Sequence, residues 1–191
     1  MEKLVPVGIS NKHAHLSQAD VETLFGEGYQ LTPFKDLSQP GQFACEEKID
    51  IVGVKGTLKG VRILGPARKE SQIEISVADG FVLGVQAPVR DSGDLDGSPG
   101  AKMVGPKGEV ELSKGVIVAS RHIHMSAEEA EKFGLVDKEI VNVHVEGKRG
   151  LILNNVLVRV NKDYKLDMHV DIEEGNAAGL KNGQLVEIVC K

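Results

Sequence analysis

The chain has 191 residues, 41% of them hydrophobic and 27% charged, which is ordinary for a globular protein with a core of its own. A formal net charge of −5 argues against nucleic acid as the main partner, and no apolar stretch is long enough to span a bilayer. With no tryptophan, 4% aromatic residues and 22 glycines, the composition favours an aliphatic core built from short strands and tight turns.

The two cysteines, Cys45 and Cys190, fit no metal-binding or redox spacing and are predicted to be reduced thiols. The segment from Met1 to Val7 lacks the long apolar run of a secretory signal. Both observations favour a cytoplasmic protein.

The N-terminal part predicts a strand, a helix and a connector. Residues 4–12 are predicted to form the strand, and a short helix runs from Ser17, which caps it, to about Phe25. The stretch from Tyr29 to Asp36 is turn-rich, because Pro33 limits helix formation.

The segment from Cys45 to Val85 predicts a run of strands that ends at the turn signal Asp79-Gly80. Its alternating or apolar stretches are residues 49–54, 61–64 and 72–77. Residues 88–114 then interrupt this pattern with a polar, glycine-rich stretch, which is either a linker or an ordered active-site loop.

The second half repeats this order. It predicts a strand at 115–120, a helix from Ser126 to about Phe133, and strands at 140–146, 156–160 and 166–171. Such an internal duplication predicts a mainly β fold with short helices, in which two similar β-barrel units are each capped by short helices. The predicted segments are residues 1–87, 88–114 and 115–191.

Each half contains a His-x-His motif that directly follows a predicted strand. His13 and His15 form the first motif, and His122 and His124 form the second, 109 residues later (122 − 13). Residues i and i+2 of an extended strand point to the same side, so each pair of imidazoles is expected to converge on one point. Convergent imidazoles bind borderline metals such as zinc. One such motif is common by chance, but the repetition favours two metal sites.

A later strand in each half offers a further ligand. Aligning residues 73–76 with residues 166–169 places Glu74 opposite Asp167 and Ser76 opposite His169. The candidate ligand sets are therefore His13, His15 and Glu74, and His122, His124 and His169. Three protein ligands with an open position are typical of catalytic zinc, although cobalt or iron would accept the same donors.

The assignment of His169 rests on spacing, which fits an ordinary core or surface histidine equally well. His144 lies in the middle of a predicted strand and is expected to be structural or exposed. The two ligand sets are expected to face each other and to bring two metals to one pocket.

Several cations lie near these candidate ligands. Lys55, Arg62 and Arg68 are grouped around predicted turns, where the default interpretation of each is a solvated side chain. Arg68 is the best candidate for binding phosphate, because a guanidinium matches two phosphate oxygens at once. Residues 175–179 predict a loop that opens a short helical turn, whose default role is structural, and Asn176 in it is a further candidate for ligand contact.

The motifs in combination resemble one known family over nearly the whole chain. They are Ser10–Ser17, Gly65–Arg68, Arg90–Asp94, Ser120–Met125 and His169–Asp171 with Asn176. Together they resemble the PduL-type phosphate acyltransferases, also called phosphate propanoyltransferases or phosphotransacetylases. The resemblance implies two β-barrel units and two Zn²⁺ per chain. It also implies reversible conversion of acetyl- or propanoyl-CoA and phosphate into the acyl phosphate and CoA.

The resemblance also implies roles for individual residues by position. The two ligand sets match the zinc ligands of the family, and Arg68 matches its catalytic, phosphate-binding arginine. The implied coenzyme A contacts are Ser10, Arg62, Leu64 and Asn176, with Lys35 or Lys55 as the contacting lysine. The zinc of His13, His15 and Glu74 is expected to take the sulfur of coenzyme A.

The expected mechanism is direct attack of phosphate on the thioester, because no Ser-His-Asp or Cys-His arrangement is evident. The expected partners are a coenzyme A thioester, phosphate and acyl phosphate, without nucleic acid or membrane; a homo-oligomer is an open possibility. The alternatives are a zinc-dependent thioester hydrolase and a non-catalytic metal-binding or shell-associated module. Family members destined for bacterial microcompartments carry an N-terminal extension, whereas 12 residues precede His13 here, so the cytoplasm is expected.

Overall fold

The computed structural model describes residues 2–189, so the predicted free thiol at Cys190 lies outside the described residues. The strands are β1 (Leu4–Ser10), β2 (His13–His15), β3 (Pro33–Asp36), β4 (Phe43–Val52), β5 (Thr57–Gly65), β6 (Gln72–Glu74), β7 (Val89–Arg90), β8 (Ala101–Val104), β9 (Glu109–Leu112), β10 (Val116–Ala119), β11 (His122–Met125), β12 (Ile140–Val145), β13 (Leu151–Val160), β14 (Asp167–Asp171) and β15 (Leu185–Val189). The helices are α1 (Gln18–Phe25), α2 (Val77–Leu83), α3 (Ala127–Phe133) and α4 (Ile172–Ala178). The prediction of a mainly β fold with short helices is confirmed. Within residues 2–189 no helix exceeds eight residues, which is far below the length that a bilayer crossing needs.

The first of two compact units, the barrel unit, is a closed barrel with the strand order β1-β14-β11-β13-β12-β15. It comprises the described residues up to Asn11, the short piece Ser38–Pro40 and the chain from Ser120 onward. β1 closes the barrel by pairing in parallel with β14 and antiparallel with β15, so neither neighbour is left with a free edge. An aliphatic core fills the unit, with Val7, Ile123 and Met168 at most 1% exposed.

The second unit, the open-sheet unit, comprises residues 12–37 and 41–119. Its strands follow the order β7-β10-β6-β2-β5-β4-β8-β9, and β3 pairs with β4 outside this path. The sheet curls into a half-barrel, which together with the closed barrel confirms the predicted pair of barrel-like units. Its core includes Ala14, Ile63 and Ile73, all fully buried.

The chain changes unit directly before each His-x-His motif. β1 pairs within the barrel, whereas β2 pairs with β5 and β6 in the open-sheet unit. Conversely, β10 pairs with β6 and β7, whereas β11 pairs with β13 and β14 in the barrel. The first strand of the N-terminal half, β1, therefore belongs to the barrel unit, and the first strand of the C-terminal half, β10, belongs to the open-sheet unit. The two units consequently differ from the linear segments 1–87, 88–114 and 115–191. Residues 88–114 contain three strands, β7, β8 and β9.

The strand registers correct the alignment of the two halves. His13 is directly opposed to Glu74 in the β2–β6 pair, and His122 is directly opposed to His169 in the β11–β14 pair. Glu74 therefore corresponds to His169, not to Asp167 as the sequence alignment predicts. The prediction is wrong by two residues because a shift of two preserves the face of every side chain, so alternation alone does not detect it.

Helix α2 replaces the predicted turn at Asp79-Gly80. Ser76 is its N-cap and forms a capping box with Asp79, and Gly84 ends the helix in the left-handed conformation with φ 77°. The strand predicted at 72–77 ends at Glu74, because the N-cap residue keeps an extended backbone that continues the alternating pattern into the helix start.

The other helix ends follow the same chemistry. Ser17 and Ser126 are the N-caps of α1 and α3, as their sequence signals predict. Asp171 starts α4 with a capping box to Glu174, so the helix begins before the predicted loop and helical turn at residues 175–179, and Asn176 lies within it.

Candidate metal centres and active site

Strand alternation places both ligand sets on the sheet face opposite the core. In the barrel, Ile123 and Met168 point into the core, so the histidines that alternate with them point outward. In the open-sheet unit, Ala14 and Ile73 point into the core, so His13, His15 and Glu74 occupy the other face. The structure thus brings together the residues of each predicted set.

His13, His15 and Glu74, named here the His/Glu set, converge through their side-chain ends. His13 Nε2 lies 3.3 Å from Glu74 Oε2, and His15 Nε2 lies 3.7 Å from Glu74 Oε1. His15 Nδ1 lies 3.2 Å from the Leu64 carbonyl oxygen, to which it donates as N–H, so its Nε2 is left for a ligand. The three side chains are no more than 11% exposed.

The environment of the His/Glu set favours the ionisation states that bind metal. Burial, reinforced by His13 and Arg68, lowers the pKa of His15 to about 3, so this imidazole is neutral. Burial alone would raise the pKa of Glu74, but the charge and hydrogen bond of His13, with His15 and Ser92, hold it well below its usual range. Neutral imidazole and ionised carboxylate are the forms that coordinate a metal.

His122, His124 and His169, named here the three-His set, form a second cluster in the barrel unit. The Nε2 atoms of His122 and His124 are 3.0 Å apart. The His169 ring lies 5.2 Å and 4.9 Å from the other two rings, measured between centroids. His122 Nδ1 lies 2.7 Å from the Ser120 carbonyl oxygen and donates to it, so the His122 Nε2 lone pair faces His124.

His169 is positioned by its neighbours. Its Nε2 lies 3.0 Å from Asp167 Oδ2 and 3.4 Å from Ser38 Oγ. Gly8 is directly opposed to His169 in the β1–β14 pair, and a Cβ at Gly8 would lie 3.1 Å from both His169 Cδ2 and Asp167 Oδ2. Because glycine has no side chain, Gly8 leaves the space that the His169 imidazole occupies.

Burial lowers the pKa of His124 to about 2, and electrostatic interactions with His122, His169 and Arg159 act in the same direction. This imidazole is therefore neutral. Among the described residues, the buried Nδ1 of His124 has no hydrogen-bond partner.

Both sets have the donors and the spacing to hold a metal ion. The ligand atoms of each set lie within 4.8 Å of one another. Each set offers three donors of the types that zinc prefers, and a tetrahedral ion would keep one position for a substrate. In the three-His set, the Nε2 atoms of His122 and His124 lie close enough to bind one cation together.

Arg68 lies beside the His/Glu set. Its backbone N–H donates to the Leu16 carbonyl oxygen at 2.8 Å, and its Nη1 donates to Ser92 Oγ at 3.2 Å. Its charge also contributes to the lowered pKa of His15. The Arg68 guanidinium is therefore close enough to the His/Glu set to influence the protonation of its ligands.

The predicted coenzyme A contacts are divided between the units. Ser10 and Asn176 belong to the barrel unit, whereas Lys35, Lys55, Arg62 and Leu64 belong to the open-sheet unit. The Arg62 guanidinium lies 5.0 Å above the ring of Phe34 and donates to the Cys45 carbonyl oxygen. Leu64 contributes the carbonyl group that holds His15.

The two candidate lysines lie at different ends of the sheet. Lys35 pairs with Ala44, which pairs with Leu64, so Lys35 is two strands from Leu64. Lys55 lies in the turn between β4 and β5, at the opposite end of β5 from Leu64. His144 is half-buried on β12 and belongs to neither ligand set.

Two ion pairs near the ligand sets were not anticipated. Lys12 Nζ lies 2.9 Å from Asp79 Oδ1, and Arg121 Nη1 lies 2.8 Å from Glu174 Oε1. In both units, the basic residue before the His-x-His motif binds the capping-box acid of the helix after the ligand strand. The signal was present in the sequence as a basic residue common to both motifs.

The fold and these geometries define a mainly β protein with two candidate metal centres and an arginine beside one of them. The chain belongs to the phosphate propanoyltransferase family, since the family model of that description matches residues 6–181. It is therefore an enzyme of the acyltransferase class.

Relatives with the name phosphate propanoyltransferase align over nearly the whole chain. The protein from Thermotoga maritima is 58% identical over 184 residues, covering 96% of this chain and 88% of the relative. The protein from Clostridioides difficile is 50% identical and covers 100% of this chain and 91% of the relative. The protein from Listeria monocytogenes is 49% identical, with 100% and 90% covered.

Proposed function

We propose that this protein is a zinc-dependent acyltransferase that interconverts short-chain acyl-CoA plus phosphate with acyl phosphate plus CoA. The acyl group is acetyl or propanoyl, and the cytoplasm is the proposed location. The observation that carries the proposal is the position of Arg68 beside the buried His/Glu set. Family membership supports the acyl and phosphate chemistry.

Two Zn²⁺ per chain complete the proposed active protein. His13, His15 and Glu74 would hold one ion, and His122, His124 and His169 would hold the other. When bound, zinc supplies a Lewis acid that favours the thiolate form of a sulfur leaving group.

Arg68 binds and orients phosphate through its guanidinium fork. A phosphate oxygen forms a bond to the thioester carbonyl carbon, and the carbon–sulfur bond breaks. The proton of hydrogen phosphate ends on the coenzyme A sulfur, so the reaction balances without a further reactant. Holding phosphate in line with the carbonyl lowers the entropic part of the activation barrier of this two-substrate reaction.

Direct attack is favoured over a covalent acyl-enzyme. Cys45, the cysteine within the described residues, is fully buried, and burial raises the pKa of its thiol to about 11. A buried thiol that resists ionisation is a poor nucleophile. A burst of acylated protein after mixing with acetyl phosphate would contradict direct attack.

Coenzyme A binding is proposed at Ser10, Lys35, Arg62, Leu64 and Asn176. Lys35 is the better candidate for the contacting lysine, because it lies two strands from Leu64 and thus nearer the His/Glu set. Lys35 and Arg62 supply positive charge for the phosphates of the coenzyme.

A thiol-release assay on acetyl-CoA tests the proposal. Zinc-loaded protein should release free coenzyme A only when inorganic phosphate is present, and acetyl phosphate should form in equal amount. Thiol release without phosphate would instead indicate a thioester hydrolase. No turnover with either acetyl- or propanoyl-CoA would indicate a non-catalytic metal-binding module.

A further inference from the structure

The hydroxyl group of Ser92 lies between the metal-ligand carboxylate and the phosphate-binding arginine. Ser92 Oγ donates to Glu74 Oε1 at 2.9 Å and accepts from Arg68 Nη1 at 3.2 Å. It also accepts from Gln72 Nε2 at 2.9 Å. A hydroxyl has one proton and two lone pairs, so these three bonds use its full capacity and fix the direction of its proton toward Glu74.

The loop that carries Ser92 is held on both sides. Before it, β7 pairs with β10, with Arg90 opposed to Ala119. After it, the Gly93 backbone N–H donates to Gln72 Oε1 at 2.8 Å. Since the same glutamine binds Ser92 and Gly93, the strand that bears Glu74 also sets the position of the loop.

We propose that Ser92 is a positioning residue that couples the carboxylate of Glu74 to the orientation of Arg68. The proposal rests on the proposed roles of Glu74 as a metal ligand and Arg68 as the phosphate-binding group. With a cation bound at the His/Glu set, the Glu74 carboxylate would be held in place and would keep accepting the hydrogen bond from Ser92. The Ser92 lone pair then holds the guanidinium in its binding position.

The coupling has a thermodynamic consequence. If metal binding orders Arg68 through Ser92, metal raises the affinity for phosphate, and phosphate raises the affinity for metal by the same factor. A serine that only stabilised the loop would change neither affinity in this linked way. The linked change therefore separates positioning from a structural role.

The Ser92→Thr and Ser92→Val variants form a matched pair, because the two side chains have nearly the same shape and only threonine keeps the hydroxyl. Metal affinity is measured on metal-stripped protein by competition with a chromophoric chelator, with and without inorganic phosphate. In the Val variant, metal affinity at the His/Glu set should fall about tenfold, which is the usual effect of removing a hydrogen-bond partner of a metal ligand. Affinity at the three-His set should not change. Phosphate should strengthen metal binding in wild type and in the Thr variant, but not in the Val variant.

Steady-state kinetics provide the second measurement. The KM for phosphate should rise about tenfold in the Val variant relative to the Thr variant, whereas the KM for acetyl-CoA should stay unchanged. Equal metal affinity and equal phosphate KM in the two variants would overturn the proposal, as would an equal loss in both. If wild type shows no phosphate-dependent turnover, the proposed function fails, but the chelator titration still decides whether the Ser92 hydroxyl supports the Glu74 site.

Discussion

Glu74 and His169 are structural counterparts, since each is directly opposed to the first histidine of a His-x-His motif. One donor set therefore contains a carboxylate, and the other contains three imidazoles. A bound Zn²⁺ would keep a residual charge of about +1 in the first set and about +2 in the second. The duplicated scaffold thus offers two electrostatically different sites.

Removing either counterpart should cost one metal ion. Glu74→Gln and His169→Ala should each reduce the zinc content of purified protein from two ions per chain to one, because each leaves its set with only two strong donors. Plasma mass spectrometry measures the content. His144→Ala is the control and should keep both ions, because His144 lies outside both sets. Full zinc content in Glu74→Gln would contradict the ligand assignment.

Replacing Arg68 should strongly reduce turnover without removing metal. Arg68→Ala should lower kcat/KM for phosphate by about 10²-fold or more, because it removes a charged group that holds the reacting oxygen atoms. Zinc content should stay at the wild-type level. Arg149→Ala, an exposed arginine in the barrel unit, is the control and should leave the kinetics unchanged. Normal turnover in Arg68→Ala would show that phosphate binds elsewhere.

Gly8→Ala should weaken metal binding at the three-His set and leave metal binding at the His/Glu set unchanged. The added Cβ would lie 3.1 Å from His169 Cδ2 and from Asp167 Oδ2, which is too close unless the imidazole moves. A displaced ligand should reduce zinc affinity at this set by about tenfold or more, as measured by chelator competition. The His/Glu set in the same protein is the internal control. Unchanged affinity for both ions would mean that the barrel relaxes around the methyl group.

Alkaline pH should destabilise the protein partly through Cys45. Burial raises the pKa of this thiol from 9.0 to about 11, so the unfolded chain loses the proton first. The free energy of unfolding is therefore unaffected by this thiol below pH 9 and falls as the pH rises from 9 toward 11, by roughly 3 kcal/mol in total. Urea unfolding of wild type and Cys45→Ala across this range measures the difference. Parallel pH curves for the two proteins would contradict the shift.

The internal repeat made much of the site predictable. His-x-His after a strand is a local pattern with period two, so the sequence alone showed that His13 and His15, and His122 and His124, share a face. The N-caps Ser17 and Ser126 were equally predictable from the sequence, because capping depends on residues three apart. Alternation also placed Glu74 and His169 on strands, but it did not show that they are counterparts.

The sequence by itself determined which side chains share a strand face, where two of the helices begin, and that the core is aliphatic, because these properties follow from residue type and spacing within a few positions. Only the tertiary structure decided that β1 and β2 belong to different units, and likewise β10 and β11. It also decided that His169 is the counterpart of Glu74 and that Ser92 bridges Glu74 and Arg68. These relationships depend on which distant strand supplies the hydrogen-bonding partner, and a period of two is unchanged when that partner shifts by two residues or is exchanged for another strand. The predicted meeting of the two ligand sets in one cleft stays a prediction for the same reason.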